Sequence, residues 1–208
     1  MSGKIFGIGF TKTGITSLTR ALEILGYHTY QNLVINTRRG LKIDRPIDAQ
    51  KILPPALKIT SRYDAVSDDP WPMLFREMDR AFPGSKFILT IRKPDRWIAS
   101  MVRHFADEPA DYRQWIYGRP WPKGNENHYC DIYEKHNTAV RAYFSSRPGD
   151  LLELDAEQGD GWEKLALFLD KAPPQGPYPR ENTAEQREKD LRQPKQRFYR
   201  AIRKILGP

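Results

Sequence analysis

The sequence predicts an α/β protein with a mostly parallel central sheet that is flanked by helices in three layers. Short apolar runs alternate with segments of helical periodicity along most of the chain. The clearest run, KFILTIR at 86–92, is apolar almost throughout. Strands of parallel sheets have this composition because helices cover both faces of the sheet. We therefore expect ligands to bind in the loops that follow the carboxyl ends of the strands.

The first elements along the chain are a strand, a helix and a second strand. KIFGIGF at 4–10 is a short apolar run of the kind that indicates a buried strand. TSLTRALEILGYH at 16–28 has apolar residues at positions i, i+3, i+4 and i+7, which predicts a helix that Gly26 ends. YHTYQN at 27–32 predicts the second strand. Proline and glycine then break residues 33–63 into short helices and loops.

Two more strands follow in the middle of the chain, each with a helix after it. DAVSD at 64–68 predicts a short strand, after which Asp69 and Pro70 suit the N-cap and the first position of a helix. The apolar run at 86–92 predicts an interior, parallel strand. The helix PDRWIASMVRHF at 94–105 leads out of it.

The last third of the chain continues this alternation around an aromatic-rich stretch. Residues 107–127 have no clean period, which predicts a mobile lid or insertion over a ligand pocket. We expect at least two of the aromatic residues Trp115, Tyr117, Trp121 and Tyr129 to pack in the core. The other predicted elements are a helix at 129–146, a strand at 150–155, a helix at 161–170, a Pro-rich loop at 171–182 and a basic helix at 183–208.

Composition limits the classes of function. A chain of 208 residues with 39% hydrophobic content predicts one domain, residues 1–208, with a sizeable core. No apolar run approaches the ~20 residues that span a bilayer, and no secretion signal begins the sequence, so we expect a cytoplasmic protein. Cys130 is the single cysteine and the four histidines lack metal-site spacing, so neither a disulfide nor a metal is expected.

The net charge of +8 favours an anionic ligand, substrate or surface. Most basic residues are dispersed, so nucleic acid is not the expected partner. The exception is the segment 183–208, where Arg197, Arg200 and Arg203 recur at helical spacing. A closing helix with a solvated basic face is the favoured interpretation of this segment. Peripheral contact with a membrane surface is the alternative.

The stretch GIGFTKTGITSL resembles a phosphate-binding P-loop whose lysine has moved. Gly9 and Gly14 have the separation of the Walker A glycines, and Thr16 stands where the hydroxyl belongs. Ile15 occupies the lysine position, and the cation is Lys12 inside the loop. Backbone amides at a helix N-terminus bind phosphate whatever the side chains. The sequence therefore predicts a P-loop-type fold whose loop binds a phosphate group but is not suited to bind a metal-bound triphosphate.

These residues resemble the PAPS-dependent sulfotransferases, particularly the short bacterial type, where PAPS is 3′-phosphoadenylyl sulfate. FTKTGITS at 10–17 fits the phosphosulfate loop of that family. The second family signature is a strand that ends in arginine with a serine eight residues later, and FILTIRKPDRWIAS supplies Arg92 and Ser100. The segment LLELDAEQGDGWEKLALFLD is similar to the strand, loop and helix that follow in many members. The resemblance covers residues 4–182, with gaps at 33–60 and 107–127.

The resemblance implies transfer of a sulfuryl group from PAPS to a hydroxyl or amine of a small-molecule or glycan acceptor. The product is the bisphosphate PAP, and no metal takes part. In this scheme Lys12 stabilises the leaving phosphate, while Arg92 and Ser100 hold the 3′-phosphate. The implied donor-binding residues are Thr11, Lys12, Thr13, Gly14, Ile15, Thr16, Ser17, Arg92 and Ser100.

A base must also take the proton of the acceptor. The family places a histidine or carboxylate between the two phosphate motifs, often two residues before a proline, and Asp68 has that position in SDDP. Asp64 and His104 are the alternatives. Arg180 in YPREN is a candidate for the basic residue that members carry near the C-terminus.

Two other classes of function remain open from the sequence. A P-loop small-molecule kinase would bind nucleoside triphosphate with Mg²⁺, which Ile15 argues against. A non-catalytic nucleotide-binding module would keep the fold and bind PAP without turnover.

Overall fold

The structure, a computed structural model, describes residues 3–33 and 48–181 and has the expected α/β architecture. No helix in these two ranges is both long and apolar enough to cross a bilayer. Two short 3-10 turns lie at Trp71–Leu74 and Pro148–Asp150. The elements are β1 (Ile5–Gly7), α1 (Ile15–Ile24), β2 (Thr29–Gln31), α2 (Ala49–Thr60), β3 (Ala65–Ser67), α3 (Phe75–Ala81), β4 (Lys86–Thr90), α4 (Pro94–Phe105), α5 (Asp111–Tyr117), α6 (Glu126–Phe144), β5 (Leu151–Leu154) and α7 (Trp162–Phe168).

The five strands of the described residues form one sheet in the order β2-β3-β1-β4-β5, and every pairing is parallel. In the centre of the sheet, Ile5 of β1 lies beside Ala65 of β3 and Lys86 of β4. The prediction that the 86–92 run is an interior, parallel strand is confirmed, because β4 pairs with β1 on one side and β5 on the other.

Helices cover both faces of the sheet, which gives the three layers. Side chains of β4 alternate between two cores, with Phe87 and Leu89 in one and Ile88 in the other. The Ile88 core contains the buried residues of α1 and α7. The opposite core contains those of α2, α3, α4 and α6. Successive strand residues point to opposite faces, so three-residue strands suffice to join both cores.

The chain turns to opposite faces of the sheet after its two neighbouring strands β1 and β4. The helix after β1 packs on the Ile88 face, whereas the helix after β4 packs on the other. Such a switch point opens a crevice at the carboxyl ends of the two strands, where α/β proteins bind ligands. The loop after β1 and the residues after β4 therefore border one crevice.

The prediction of short, broken helices between residues 33 and 63 is wrong for its second half. A single 12-residue helix, α2, runs through Pro54 and Pro55. Its residues Ile52, Ala56 and Ile59 are buried in the core, and this packing outweighs the local cost of the prolines. Residues 34–47 lie outside the described residues, as does the predicted basic helix at 183–208.

The prediction that Asp69 caps a helix starting at Pro70 is also wrong. Pro70 is itself the N-cap of a 3-10 turn, and α3 begins only at Phe75. The Asp69 side chain is buried, 1% exposed, and its carbonyl oxygen accepts a hydrogen bond from the Leu33 amide at 2.9 Å. The polar group that the sequence assigns to a cap therefore lies inside the protein.

Candidate active site

The loop between β1 and α1 owes its course to two glycines with different functions. Gly9 passes so close to β4 that an added Cβ would lie 2.0 Å from Thr90 Oγ1 and 2.4 Å from the Thr90 carbonyl oxygen. Gly14 has a φ of 99° and caps α1 in the left-handed region, which glycine adopts without strain. Lys12 also has a positive φ, 72°. Close packing requires the first glycine and backbone conformation favours the second.

Hydrogen bonds from neighbouring elements fix this loop. The Thr13 hydroxyl donates to the Phe10 carbonyl and contacts Thr90 Oγ1, both at 2.6 Å. Trp97 of α4 donates from Nε1 to the Thr11 carbonyl at 3.0 Å. A hydroxyl has one hydrogen, so Thr90 is the donor to Thr13 in this arrangement. Thr13 thus ties the loop to β4 through its side chain.

The first turn of α1 presents its backbone to the crevice while its apolar side chain points away. Ile15 is 2% exposed and packs in the Ile88 core, so it occupies the Walker lysine position without entering the site. The first amides of a helix have no partner within it, and the helix dipole makes them attractive to anions. The Thr16 hydroxyl accepts from Gln31 Nε2 at 3.2 Å, and Ser17 Oγ accepts from the Glu181 amide at 2.9 Å.

Arg92 follows β4 and connects three loops. Its own amide donates to the Tyr133 hydroxyl, which donates back to the Arg92 carbonyl, both at 2.9 Å. Nη1 of the guanidinium donates to the Lys12 carbonyl at 3.4 Å, and Nη2 forms an ion pair with Glu157 in the loop after β5. Nε is buried without a hydrogen-bond partner. Ser100, the other residue predicted at this subsite, is buried on α4.

Asp68 follows β3 and is 5% exposed. Its Oδ2 accepts from Gln31 Nε2 at 3.3 Å and from Asn32 Nδ2 at 3.4 Å, while its Oδ1 accepts from the Asp69 amide at 3.1 Å. Burial raises the pKa of Asp68, and the positive charge of Lys12 acts in the opposite direction. A buried carboxylate with a raised pKa is suited to general-base chemistry.

The neighbouring carboxyl adds a second acid at this position. Oδ1 of Asp69 is buried without a hydrogen-bond partner. Burial, and then the charge of Asp68, raise the pKa of Asp69 well above its ordinary value, while the charge of Arg113 lowers it. Burial and the charge of Asp68 thus both favour the protonated form of Asp69.

The alternative bases lie elsewhere. Asp64 stands before β3, at the amino edge of the sheet, where its Oδ2 accepts from the His28 amide at 2.9 Å. His104 is exposed in the last turn of α4, with its ring edge-on to Phe105. Only Asp68 of the three follows a strand at the carboxyl edge.

The aromatic-rich stretch at 107–127 packs beside the two carboxyls. The prediction that at least two of Trp115, Tyr117, Trp121 and Tyr129 are core residues is confirmed, because Tyr117 of α5 and Tyr129 of α6 are almost fully buried and their rings stack at 4.2 Å. Arg113 of α5 is 3% exposed and donates from Nη1 to the Tyr112 hydroxyl at 2.6 Å. The Arg113 charge reaches Asp69, so this stretch helps to set the electrostatics of the carboxyl pair.

Sequence reasoning missed four residues of this site: Gln31, Asn32, Tyr133 and Glu157. Two signals were present: Gln31 ends β2 and Asn32 follows it, and Glu157 lies in the loop after β5, at the sheet edge where α/β proteins generally bind ligands. Tyr133 lies within α6, far along the chain from Arg92, and no local pattern identifies it. Among residues 3–33 and 48–181, no cluster of three or more histidine, cysteine or carboxylate side chains is arranged to hold a metal ion.

Two similarities to known proteins bear on the family of this chain. The sequence matches the family described as "Sulfotransferase domain" over residues 4–187. One curated relative is "Ava biosynthesis cluster protein M" of Aspergillus versicolor, which is 27% identical over 216 aligned residues, covering 85% of this chain and 79% of that protein. Because the family match runs from before β1 to beyond α7, the protein is a transferase that belongs to the sulfotransferase family.

Proposed function

We propose that the protein transfers a sulfuryl group from PAPS to a hydroxyl or amine of a small-molecule or glycan acceptor, with Lys12 stabilising the leaving phosphate and Asp68 acting as base. One observation carries the proposal. The Arg92 guanidinium donates to the Lys12 carbonyl, and the Lys12 charge acts on Asp68. The three residues to which we assign these roles, Lys12, Arg92 and Asp68, therefore lie near one another, which supports the proposal.

The residues present fit a donor with two anionic groups. Loop residues 11–17 would hold the phosphosulfate end, and Arg92 with Ser100 would hold the 3′-phosphate. The buried Nε of Arg92 is an unpartnered donor, and the first turn of α1 offers further amides. When bound, PAPS supplies an activated sulfuryl group, and this chemistry needs no metal ligand from the protein.

Lys12 and Asp68 would act on different groups, Lys12 on the leaving phosphate and Asp68 on the acceptor. The Lys12 ammonium neutralises negative charge on the leaving phosphate, a role in which preorganised cations are effective. Asp68 takes the acceptor proton; burial raises the pKa of this carboxyl, while its hydrogen bonds and the Lys12 charge lower it. The hydrogen bonds from Gln31 and Asn32 orient its carboxylate.

A small-molecule acceptor is favoured by two considerations. The relative from Aspergillus versicolor carries the words "biosynthesis cluster" in its name. The charge of Arg113 acts on Asp69, so the stretch 107–127 lies near the carboxyl pair. A lid formed by this stretch would cover an acceptor bound next to Asp68. A single domain of residues 1–208, a cytoplasmic location and a peripheral membrane contact of the 183–208 segment stay predictions.

Calorimetry with PAP, ADP and ATP tests the donor assignment. We expect PAP to bind in EDTA more tightly than ADP, because only PAP carries the 3′-phosphate. Arg92→Ala should weaken PAP binding by about 2 kcal/mol, since it removes a charge-assisted contact, and should leave ADP binding nearly unchanged. Arg147→Ala is the matched control. Arg147 also forms an ion pair, with Asp79 of α3, but it precedes β5 and therefore lies at the opposite edge of the sheet from Arg92.

The same titrations separate the two other classes of function. ATP binding that is tighter than PAP binding and depends on Mg²⁺ would indicate a kinase instead. Lys12→Ala should bind PAP and lose sulfuryl transfer to added phenols, alcohols or amines. Tight PAP binding by the wild-type protein with no transfer to any acceptor class would indicate a binding module.

A further inference from the structure

The guanidinium that the proposed function assigns to a phosphate is already paired with a carboxylate. Arg92 Nη2 forms its ion pair with Glu157, and the two side chains are 23% and 40% exposed. Arg92 comes from the loop after β4 and Glu157 from the loop after β5, so the pair closes one side of the crevice. An anion that approaches Arg92 therefore encounters a guanidinium that already forms an ion pair with Glu157.

Arg92 has little freedom to avoid this competition. The two hydrogen bonds with the Tyr133 hydroxyl fix its backbone, and Nη1 donates to the Lys12 carbonyl. Nη2 carries two N–H groups and Glu157 takes one of them, so a phosphate gains every donor of this guanidinium edge, free of the repulsion from a neighbouring carboxylate, only when Glu157 turns away. The unpartnered Nε adjoins the same fork.

Glu157 can leave at modest cost. Its backbone is anchored, because its amide donates to Asp155 Oδ1 at 3.0 Å. Its side chain reaches solvent, where a free carboxylate is well hydrated, and partly exposed ion pairs contribute little net stability. An outward turn of the carboxylate therefore requires no movement of the loop backbone.

We infer that Glu157 sets the affinity and specificity of the donor site by competing with the ligand's phosphate for Arg92. This inference rests on the proposed function. A phosphomonoester dianion displaces the carboxylate, whereas a ligand with a hydroxyl at that position leaves the ion pair intact. Return of Glu157 to Arg92 assists release of the bisphosphate product. No covalent step is involved, since one anion exchanges for another.

The test compares Glu157→Gln with wild type. Glu157→Gln should bind PAP about tenfold more tightly, because the amide competes weakly for the guanidinium, and PAP should dissociate correspondingly more slowly in stopped-flow measurements. ADP affinity should stay within about twofold of the wild-type value. Glu153→Gln is the matched control, because it removes the same charge from another exposed ion pair, with Arg141, on β5. That control should bind PAP as the wild type does.

Glu157→Asp and the binding of inorganic phosphate provide two further tests. Glu157→Asp retains the charge on a shorter side chain and should also tighten PAP binding. Inorganic phosphate should bind both Glu157 variants more tightly than wild type, even where the nucleotide assignment fails. Unchanged or weaker phosphate and PAP binding in the variants would overturn the inference, because Glu157 would then orient Arg92 or have no effect. Equal affinity of wild type for PAP and ADP would instead overturn the proposed function.

Discussion

The pKa of the Asp68 carboxyl is subject to opposing influences. Burial raises its pKa, and the Lys12 charge and the hydrogen bonds from Gln31 and Asn32 favour the ionised form. A base must be ionised to accept a proton and basic enough to hold it. The proposed base role of Asp68 depends on this balance, so substitution of Asp68 is informative.

Asp68→Asn should lower the turnover number of sulfuryl transfer at least about 100-fold, because the amide cannot accept the acceptor's proton. PAP affinity should change little, since the base contacts the acceptor and not the 3′-phosphate. Asp64→Asn, at the amino edge of β3, is the matched control and should keep wild-type turnover. Steady-state kinetics and calorimetry on both variants measure these quantities. Equal turnover of Asp68→Asn and wild type would exclude the base assignment.

At this scale, the sequence identifies residues that carry a chemical motif and misses those that act through distant contacts. Lys12 and Arg92 stand in recognisable patterns after strands, and the structure joins them through a hydrogen bond. Tyr133 contacts Arg92 across a separation of 41 residues, and Glu157 does so across 65. Such pairings arise from tertiary packing, which local spacing does not encode.

At the scale of elements, the loop after β1 depends on close approach to β4. Gly9 leaves no space for a side chain beside Thr90, whereas Gly149 has nothing within 4 Å of an added Cβ. Gly9→Ala should therefore destabilise the protein by about 3 kcal/mol or more, because backbone atoms of Thr90 would have to move. Gly149→Ala should stay within about 0.5 kcal/mol of wild type. Urea denaturation measures both, and equal stability of the two variants would contradict the close approach.

Element prediction succeeded where periodicity was long and failed where packing overrode local propensity. α4 has the predicted bounds, 94–105, because Pro94 starts it and its apolar face is periodic. α2 was not predicted as one helix because Pro54 and Pro55 are strong breakers in isolation. Its apolar face, buried at Ile52, Ala56 and Ile59, decides the outcome, and burial of this kind depends on partners distant in sequence.

For the whole molecule, one buried histidine couples α6 to the sheet and to the start of the loop after β1. His136 donates from Nε2 to the Ile8 carbonyl at 2.8 Å, just after β1, because a carbonyl can only accept. Its ring stacks on Phe10 at 4.2 Å and lies edge-on to Phe75. Burial, aided by the charge of Arg76, lowers the pKa of His136 to about 4. The folded protein therefore holds this histidine neutral.

This neutral histidine makes stability depend on pH in a defined direction. Below its ordinary pKa of 6.5 the unfolded chain binds a proton at His136 that the folded protein does not bind until about pH 4. Stability from this group is therefore complete above about pH 6.5 and falls as the pH decreases through that window.

The raised pKa values of Asp68 and Asp69 act in the opposite direction, so the contribution of His136 must be isolated by comparison with His136→Gln. Both carboxyls are present in each protein and cancel in the difference between the two free energies of unfolding. We expect wild type to exceed His136→Gln in that free energy, and the excess to shrink by about 2 kcal/mol between about pH 7 and about pH 5. Urea denaturation at several pH values measures the difference, and an excess that stays constant across this range would show that His136 titrates alike in the folded and unfolded protein.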